Sequence, residues 1–264
     1  MTYTEFKIEF NKLYDNLATD GAPGVDPYEI SLFLTEAQED IIRALVTGSP
    51  QLSILNKTFE IDEDVRRSLN KIVKQYNTTS ITSKEGITVD NSYFINVDST
   101  DLENMWWVIW EQAKANITDC NKTKWLKVVP IMHDEANEML SDPFINLDNH
   151  IIYRVDLNIE GIDTSFANKS GFELLSKNTV SEYKNRYIEK PEPIIVEDIQ
   201  GTGQWLNFYP AGANLTVDGE HTPATCKLNS KIHRIILYKA VELAMAAYKD
   251  GSLQTLNSLK KGLT

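Results

Sequence analysis

One stretch constrains the architecture more than any other: Gly21 to Gly48, GAPGVDPYEISLFLTEAQEDIIRALVTG, a turn that launches a helix and then stops it. Asp26 suits the N-cap, Pro27 the first helical position and Glu29 the carboxylate of a capping box, and Gly48 ends the run. Between those signals Ile30, Phe33, Leu34, Ala37, Ile41, Ala44 and Leu45 recur at three- and four-residue steps, so one face is apolar. Glu36, Glu39, Asp40 and Arg43 occupy the other. A lone helix of this kind is marginal in water, so the chain must supply something for it to dock on.

Other helical stretches answer that need. Thr4 to Leu17 places Phe6, Phe10, Leu13 and Leu17 on one side, and Asp62 to Tyr76, DEDVRRSLNKIVKQY, predicts a third helix with Val65, Leu69, Ile72, Val73 and Tyr76 inward. The last element is Ser230 to Tyr248. Ile232, Ile235, Ile236, Ala240, Leu243, Ala244 and Ala247 make one face, and Leu237, Val241 and Met245 leave the remainder only partly polar. That is more apolar than a surface helix requires, so it is either the central helix of the fold or packs in part against another subunit. Lys249-Asp250-Gly251 stops it, and the residues to Thr264 read as a loosely held tail.

After Asn77 the period changes. TTSITSKEGITVDNSYFINV alternates short apolar positions with turn signals at Lys84-Glu85-Gly86 and Asp90-Asn91, the pattern of small strands or a hairpin. Met105 to Ile117, MWWVIWEQAKANI, has spacing that could suit a helix, but its aromatic and β-branched content favours a strand, running through the loop Thr118 to Lys124 into Trp125 to Pro130. His133 to Leu140 gives one or two helical turns closed by Asp142-Pro143. His150 to Ile159, Gly171 to Leu175 and Val180 to Ile188 continue the sheet, and Glu189-Lys190-Pro191-Glu192-Pro193 is a rigid extended link before Ile194-Ile195-Val196. Gly201 to Thr225 reads as loops around a short strand or two. The expected class is α+β: an N-terminal helical region 1–77, a mostly antiparallel β-rich region 78–225, and a C-terminal segment 226–264 whose helix packs on the N-terminal helices.

Composition narrows the function classes. With 264 residues, 42% hydrophobic, the chain can bury a sizeable core as one large domain or two modest ones. Its 26 basic against 38 acidic residues give a net charge of −12, which argues against a sequence-independent grip on DNA or on an anionic membrane. Cys120 and Cys226 lie far apart, outside any CxxC or Cys/His cluster, so neither a disulfide framework nor a zinc site is indicated and a reducing compartment fits. The first residues do not read as a signal peptide, and no apolar run approaches membrane-spanning length.

Catalytic chemistry finds little support. His133-Asp134-Glu135 is the most site-like cluster, since a histidine followed by carboxylates suits a metal or a proton shuttle, with His150 as a further ligand in a metal-dependent hydrolase. The same carboxylates suit a helix start, where they face the positive end of the dipole, and that is the favoured reading. His221 and His233 stand in no ligand motif, and no GxxxxGK[ST], GxGxxG or GxSxG occurs. No catalytic, cofactor-binding or metal residue is therefore assigned, and the alternative function is that hydrolase. Trp106, Trp107, Trp110 and Trp125 are expected in the core beside Val108 and Ile109; a glycan-binding reading would need Trp106 or Trp107 facing solvent.

Four stretches in succession, APGVDPYEISLFLTEAQEDII, KVVPIMHDEANEMLSDPF with IIYRVD, YKNRYIEKPEPIIV and CKLNSKIHRIILYKAVELAMAAY, resemble the virion proteins of crAss-like tailed phages that form ring or adaptor layers between portal and tail. The resemblance spans most of the chain in order. It implies a non-enzymatic, ring-forming subunit, dodecameric, that binds the portal and neighbouring tail or ring proteins, links head to tail and helps retain packaged DNA. It further implies a virion location in the neck or tail after synthesis in the host bacterial cytoplasm, with genomic DNA passing the lumen unbound and no membrane partner. No catalytic residues and no cofactor are implied.

Overall fold

A computed structural model of the chain describes residues 1–17, 24–47, 63–83, 92–97, 101, 104–117, 122–141, 147–158, 170–200, 209–210 and 213–248. The class is α+β, with N-terminal and C-terminal helices and a mostly antiparallel sheet. The chain divides into two compact units, one formed by residues 1–72 together with 191–264, the other by 73–190.

In the first unit, α1 (Tyr3–Leu17), α2 (Pro27–Thr47) and α5 (Ser230–Ala247) pack on one another. The capping box at the start of α2 forms as the sequence indicates: Glu29 N donates to Asp26 Oδ1 at 2.8 Å and Asp26 N to Glu29 Oε2 at 3.0 Å. Both carboxylates also hold a tyrosine from far along the chain, Tyr209 on Asp26 Oδ2 at 2.7 Å and Tyr248 on Glu29 Oε1 at 2.6 Å. The α2 stripe Ile30, Leu34, Ala37, Ile41 and Leu45 is buried. So are Phe6, Phe10 and Tyr14 of α1.

The last helix buries Ile232, Ile236, Ala240 and Ala244, and with them Leu237, Val241 and Met245, while Ile235 and Leu243 are only half-buried. Its excess of apolar positions is therefore spent inside the chain, as a central helix between α1 and α2 requires. Asn229 caps it, its side chain accepting from Lys231 N at 3.1 Å.

A polar stripe on α2, Ser31, Thr35 and Gln38, is as buried as the apolar one. It faces the extended segment after Pro191: Gln38 Nε2 donates to Glu192 O, Ile194 N to Thr35 Oγ1 and Val196 N to Ser31 Oγ, at 2.9, 3.1 and 3.2 Å. Steps of two along an extended chain thus meet steps of three and four along a helix, and backbone groups without a sheet partner are satisfied by side chains. Ile195 also bridges Ala224, and Val217 pairs with Glu220 across a tight turn in which Asp218 and Gly219 have φ of 51° and 84°. Positive φ at both central positions is the geometry for which an Asp-Gly pair is suited.

The predicted helix over Asp62–Tyr76 is corrected. The helix α3 covers Glu63–Leu69, a single 3-10 turn follows at Asn70–Ile72, and Val73–Thr78 is strand β1. Spacing that suits one helical face in this short run also fits a strand, and pairing with a long neighbour decides: Val73 to Thr78 run antiparallel against Ile188 to Tyr183.

The second unit is an eight-stranded sheet. After β1 come β2 (Ile81–Ser83), β3 (Ser92–Val97), β4 (Met105–Ile117), β5 (Lys122–Pro130), β6 (Ile151–Asn158), β7 (Ser170–Leu175) and β8 (Thr179–Glu189), in spatial order β1-β8-β4-β5-β6-β7-β3-β2. All pairings are antiparallel except β5 with β6, and the parallel return between those two carries the helix α4 (His133–Ser141).

β1 and β2 close the two ends of that order, yet only Thr79 and Ser80 separate them. Three residue steps reach at most ~11 Å. Eight strands laid flat at a spacing of ~4.8 Å would hold their ends ~34 Å apart. The sheet must curl until both ends meet on the single bent stretch 73–83, and register shifts along β4 and β8, which increase local twist, assist the bending. Ile95, Ala113, Ala115, Leu126, Val128, Ile152, Phe172, Leu174 and Tyr183 fill the inside.

Candidate functional site

The residues singled out for chemistry do not converge. His133, Asp134 and Glu135 are consecutive and exposed on the first turn of α4, where Met132 N donates to Glu135 Oε2 at 3.2 Å. Glu135 thereby caps its own helix, the role that residues of this type take at a positive dipole end. His150 sits in a local turn closed by its own N–H on Asp148 Oδ1 at 2.8 Å, and His221 lies 3.4 Å from Asp198.

His233 is buried on α5, with Nε2 3.0 Å from Leu228 O and Nδ1 2.6 Å from the Met1 nitrogen. The neutral tautomer with its proton on Nε2 satisfies both contacts, and burial first, then the nearby positive charges, lowers the pKa below the ordinary 6.5. Among the described residues no three His, Cys, Asp or Glu side chains gather closely enough to hold a metal ion. Cys226 is buried, which pushes its thiol up to about 11 and leaves little thiolate for nucleophilic work.

One polar network does lie inside the curled sheet. Arg154 Nε stands 2.8 Å from Glu111 Oε2, an ion pair by distance rather than an aligned hydrogen bond, and both side chains are under a tenth exposed. Tyr183 donates to the same Glu111 oxygen at 2.8 Å, Asn185 Nδ2 donates to the Tyr183 hydroxyl at 3.2 Å, and the Arg154 guanidinium lies 4.6 Å over the Phe172 ring. Burial raises the Glu111 pKa despite the opposing pull of Arg154 and Tyr183. The guanidinium also reaches Asp156, which is exposed. The arrangement neutralises a buried charge and joins β4, β6 and β8; it presents no nucleophile and no paired acid and base.

The tryptophans depart from the core expectation. Trp106 and Trp107 are half-buried with ring centroids 4.3 Å apart, whereas Trp110 and Trp125 are 37% and 36% exposed on the outer face of β4 and β5. Lys184 lies over both of these, 3.6 Å from the Trp125 centroid and 5.5 Å from that of Trp110, and Arg186 stands 5.5 Å over Trp110. Pairing explains the placement. Inward positions of these strands are taken by Glu111, Ala113, Leu126 and Asn185, so the alternate positions, tryptophan and cation together, turn outward. The signal was present in WEQAK, KTKWLK and YKNRY as cations and tryptophans at alternate positions.

What the described residues define is a helical unit and a curled sheet with a buried polar network and outward faces of contrasting character. Residues 1–256 match the family described as phage tail ring protein 3/4, and the chain belongs to that family. It is 33% identical over 248 residues to "Ring protein 3" of Bacteroides phage crAss001, covering 93% of this chain and 95% of that protein. It is also 31% identical over 255 residues to "Ring protein 4/5" of the same phage, covering 96% of each. Among the described residues no helix is long and apolar enough to cross a membrane.

Proposed function

We propose that this chain is a structural, non-enzymatic subunit of the virion, made in the host bacterial cytoplasm, and that its copies close into a ring, a dodecamer, at the head-to-tail interface. The ring binds the portal, carries the next tail or ring protein on its other side, and helps retain the packaged genome. The observation that carries this reading is the match to the ring-protein family over residues 1–256, reinforced by near full-length similarity to two proteins named as ring proteins.

Physics is compatible with the role. A closed ring needs two different patches per subunit that meet head to tail, and the outside of the curled sheet offers patches of contrasting character. A contact of roughly 800 Å² per partner suffices for stable association. The excess of 38 acidic over 26 basic residues lets a lumen formed by such subunits pass DNA without gripping it.

The test is to mix the purified chain with the portal assembly of the same phage and image the particles by electron microscopy. Extra density forming a ring with the portal's symmetry is expected. Absence of any added layer, together with absence of the protein from purified virions, would overturn the reading.

A further inference from the structure

The outside of the curled sheet carries two contrasting sides. Over β6 and β7 it is covered by α4, whose Ala136 packs with Val155 and Leu175, flanked by Tyr153 and Ile131. The outward surface of that helix has no lysine or arginine; Asp134, Glu135 and Glu138 are exposed, and Met132, just before it, is 75% exposed.

Across β8, β4 and β5 the outward grid is different. Register sets Arg186 beside Trp110, places Gln112 between Lys184 and Lys127, and puts Lys114 between Glu182 and Trp125. Four cations stand there against one carboxylate, in a chain where acidic residues outnumber basic ones by 38 to 26. The tryptophans lie under the ammonium of Lys184, apolar surface roofed by charge.

We infer that these two faces meet between successive copies of the chain: the tryptophan–lysine face of one copy receives Met132 and the acidic side of α4 from the next. The inference rests on the ring reading and names the contact within it. Two chemistries match at once. A thioether suits the edge of an indole, and carboxylates on α4 suit the cations that flank it. Half-exposed tryptophans that become fully desolvated are the usual anchors of such a contact, with charge pairs at its rim setting register and rate. Used head to tail, one patch of each copy against the other patch of the next, the contact is heterologous and propagates from copy to copy, as a ring requires. A polyanion such as nucleic acid is the less favoured occupant, because the chain around this face is strongly acidic and repels it.

Charge reversal tests the pairing. One variant carries Lys127→Glu, Lys184→Glu and Arg186→Glu; a second carries Asp134→Lys and Glu138→Lys; a third carries all five changes. Glu135 is left alone because it caps α4. Thermal unfolding checks that each variant is folded, and sedimentation with electron microscopy reads ring formation, alone and on the portal assembly. Each of the first two variants should lose rings, with association weakened at least tenfold, and the third should recover them.

Rings as abundant as wild type in the first two variants would overturn the inference and leave the ring reading standing. Loss in both without recovery in the third would overturn the pairing of these two faces. Retarded migration of duplex DNA by the wild type, abolished in the first variant while its rings persist, would assign the basic face to nucleic acid instead. A wild-type chain that rings under no condition, with or without the portal, would instead remove the ring reading itself.

Discussion

Arg154 and Glu111 show how much of this protein is decided by single side chains. A guanidinium and a carboxylate have been taken out of water together inside the sheet, and Tyr183 and Asn185 extend the bonding from there. Removing Glu111 leaves the buried Arg154 with only the exposed Asp156 as counter-charge and Tyr183 without its acceptor, which costs more than the pair contributes. Glu111→Ala should therefore destabilise the fold by about 3–5 kcal/mol in urea unfolding. A loss well under 1 kcal/mol would show that water reaches Arg154. His233 supplies a pH dependence. Because its folded pKa lies below the ordinary 6.5, its contribution is complete above that pH and is lost as pH falls from 6.5 through the folded value. The urea midpoint should drop between neutral pH and pH 5, and His233→Gln, which keeps a donor for Leu228 O, should flatten that drop. Neither feature could be read in advance. Alternation does place Arg154 on the same side of its strand as Ile152, but its partner lies 43 positions earlier on another strand, and only the strand order brings them together.

Elements were far more legible, because their signals are local. The capping box at Asp26 and Glu29, the apolar stripe of α2 and the final helix follow from spacing and residue type, and the strand at Met105–Ile117 follows from residue type although its spacing also suits a helix. Where two periods fit the same few residues the sequence is ambiguous, and Val73–Thr78 became a strand because β8 offers it six paired positions. The turn signals at Lys84-Glu85-Gly86 and Asp90-Asn91, Gly48, the stop at Asp142-Pro143 and the C-terminal tail lie outside the described residues. What periodicity cannot reveal is the second duty of α2. Its buried Ser31, Thr35 and Gln38 look like interruptions of an apolar face and in fact hold the extended segment after Pro191. Asp26 also has a tertiary duty, since it accepts from Tyr209 as well as from Glu29 N. Asp26→Ala should thus cost more than the ~1 kcal/mol typical of a cap lost to alanine, about 2–3 kcal/mol by thermal or urea unfolding. Asp26→Asn, which keeps the cap acceptor, should recover most of it.

For the whole molecule, the class of fold was readable from the change of period alone: helices at both ends of the chain, strands between them. The curling of the sheet was not, since it follows from β1 and β2 lying at opposite ends of the strand order while adjacent in sequence. Nor was the outward tryptophan face, because aromatic strands usually signal a core, and here the inward positions are held by alanines and by a charged network instead. The match over residues 1–256 places the chain in the ring-protein family. The ring proposal is tested most directly by a cryo-electron microscopy reconstruction of the neck of the intact virion, with this chain fitted into it. A ring of twelve copies between portal and tail, the tryptophan–lysine face of each copy against α4 of the next, is the expected result. Density at the neck that accommodates no copy of this fold would rule out a ring of this chain there.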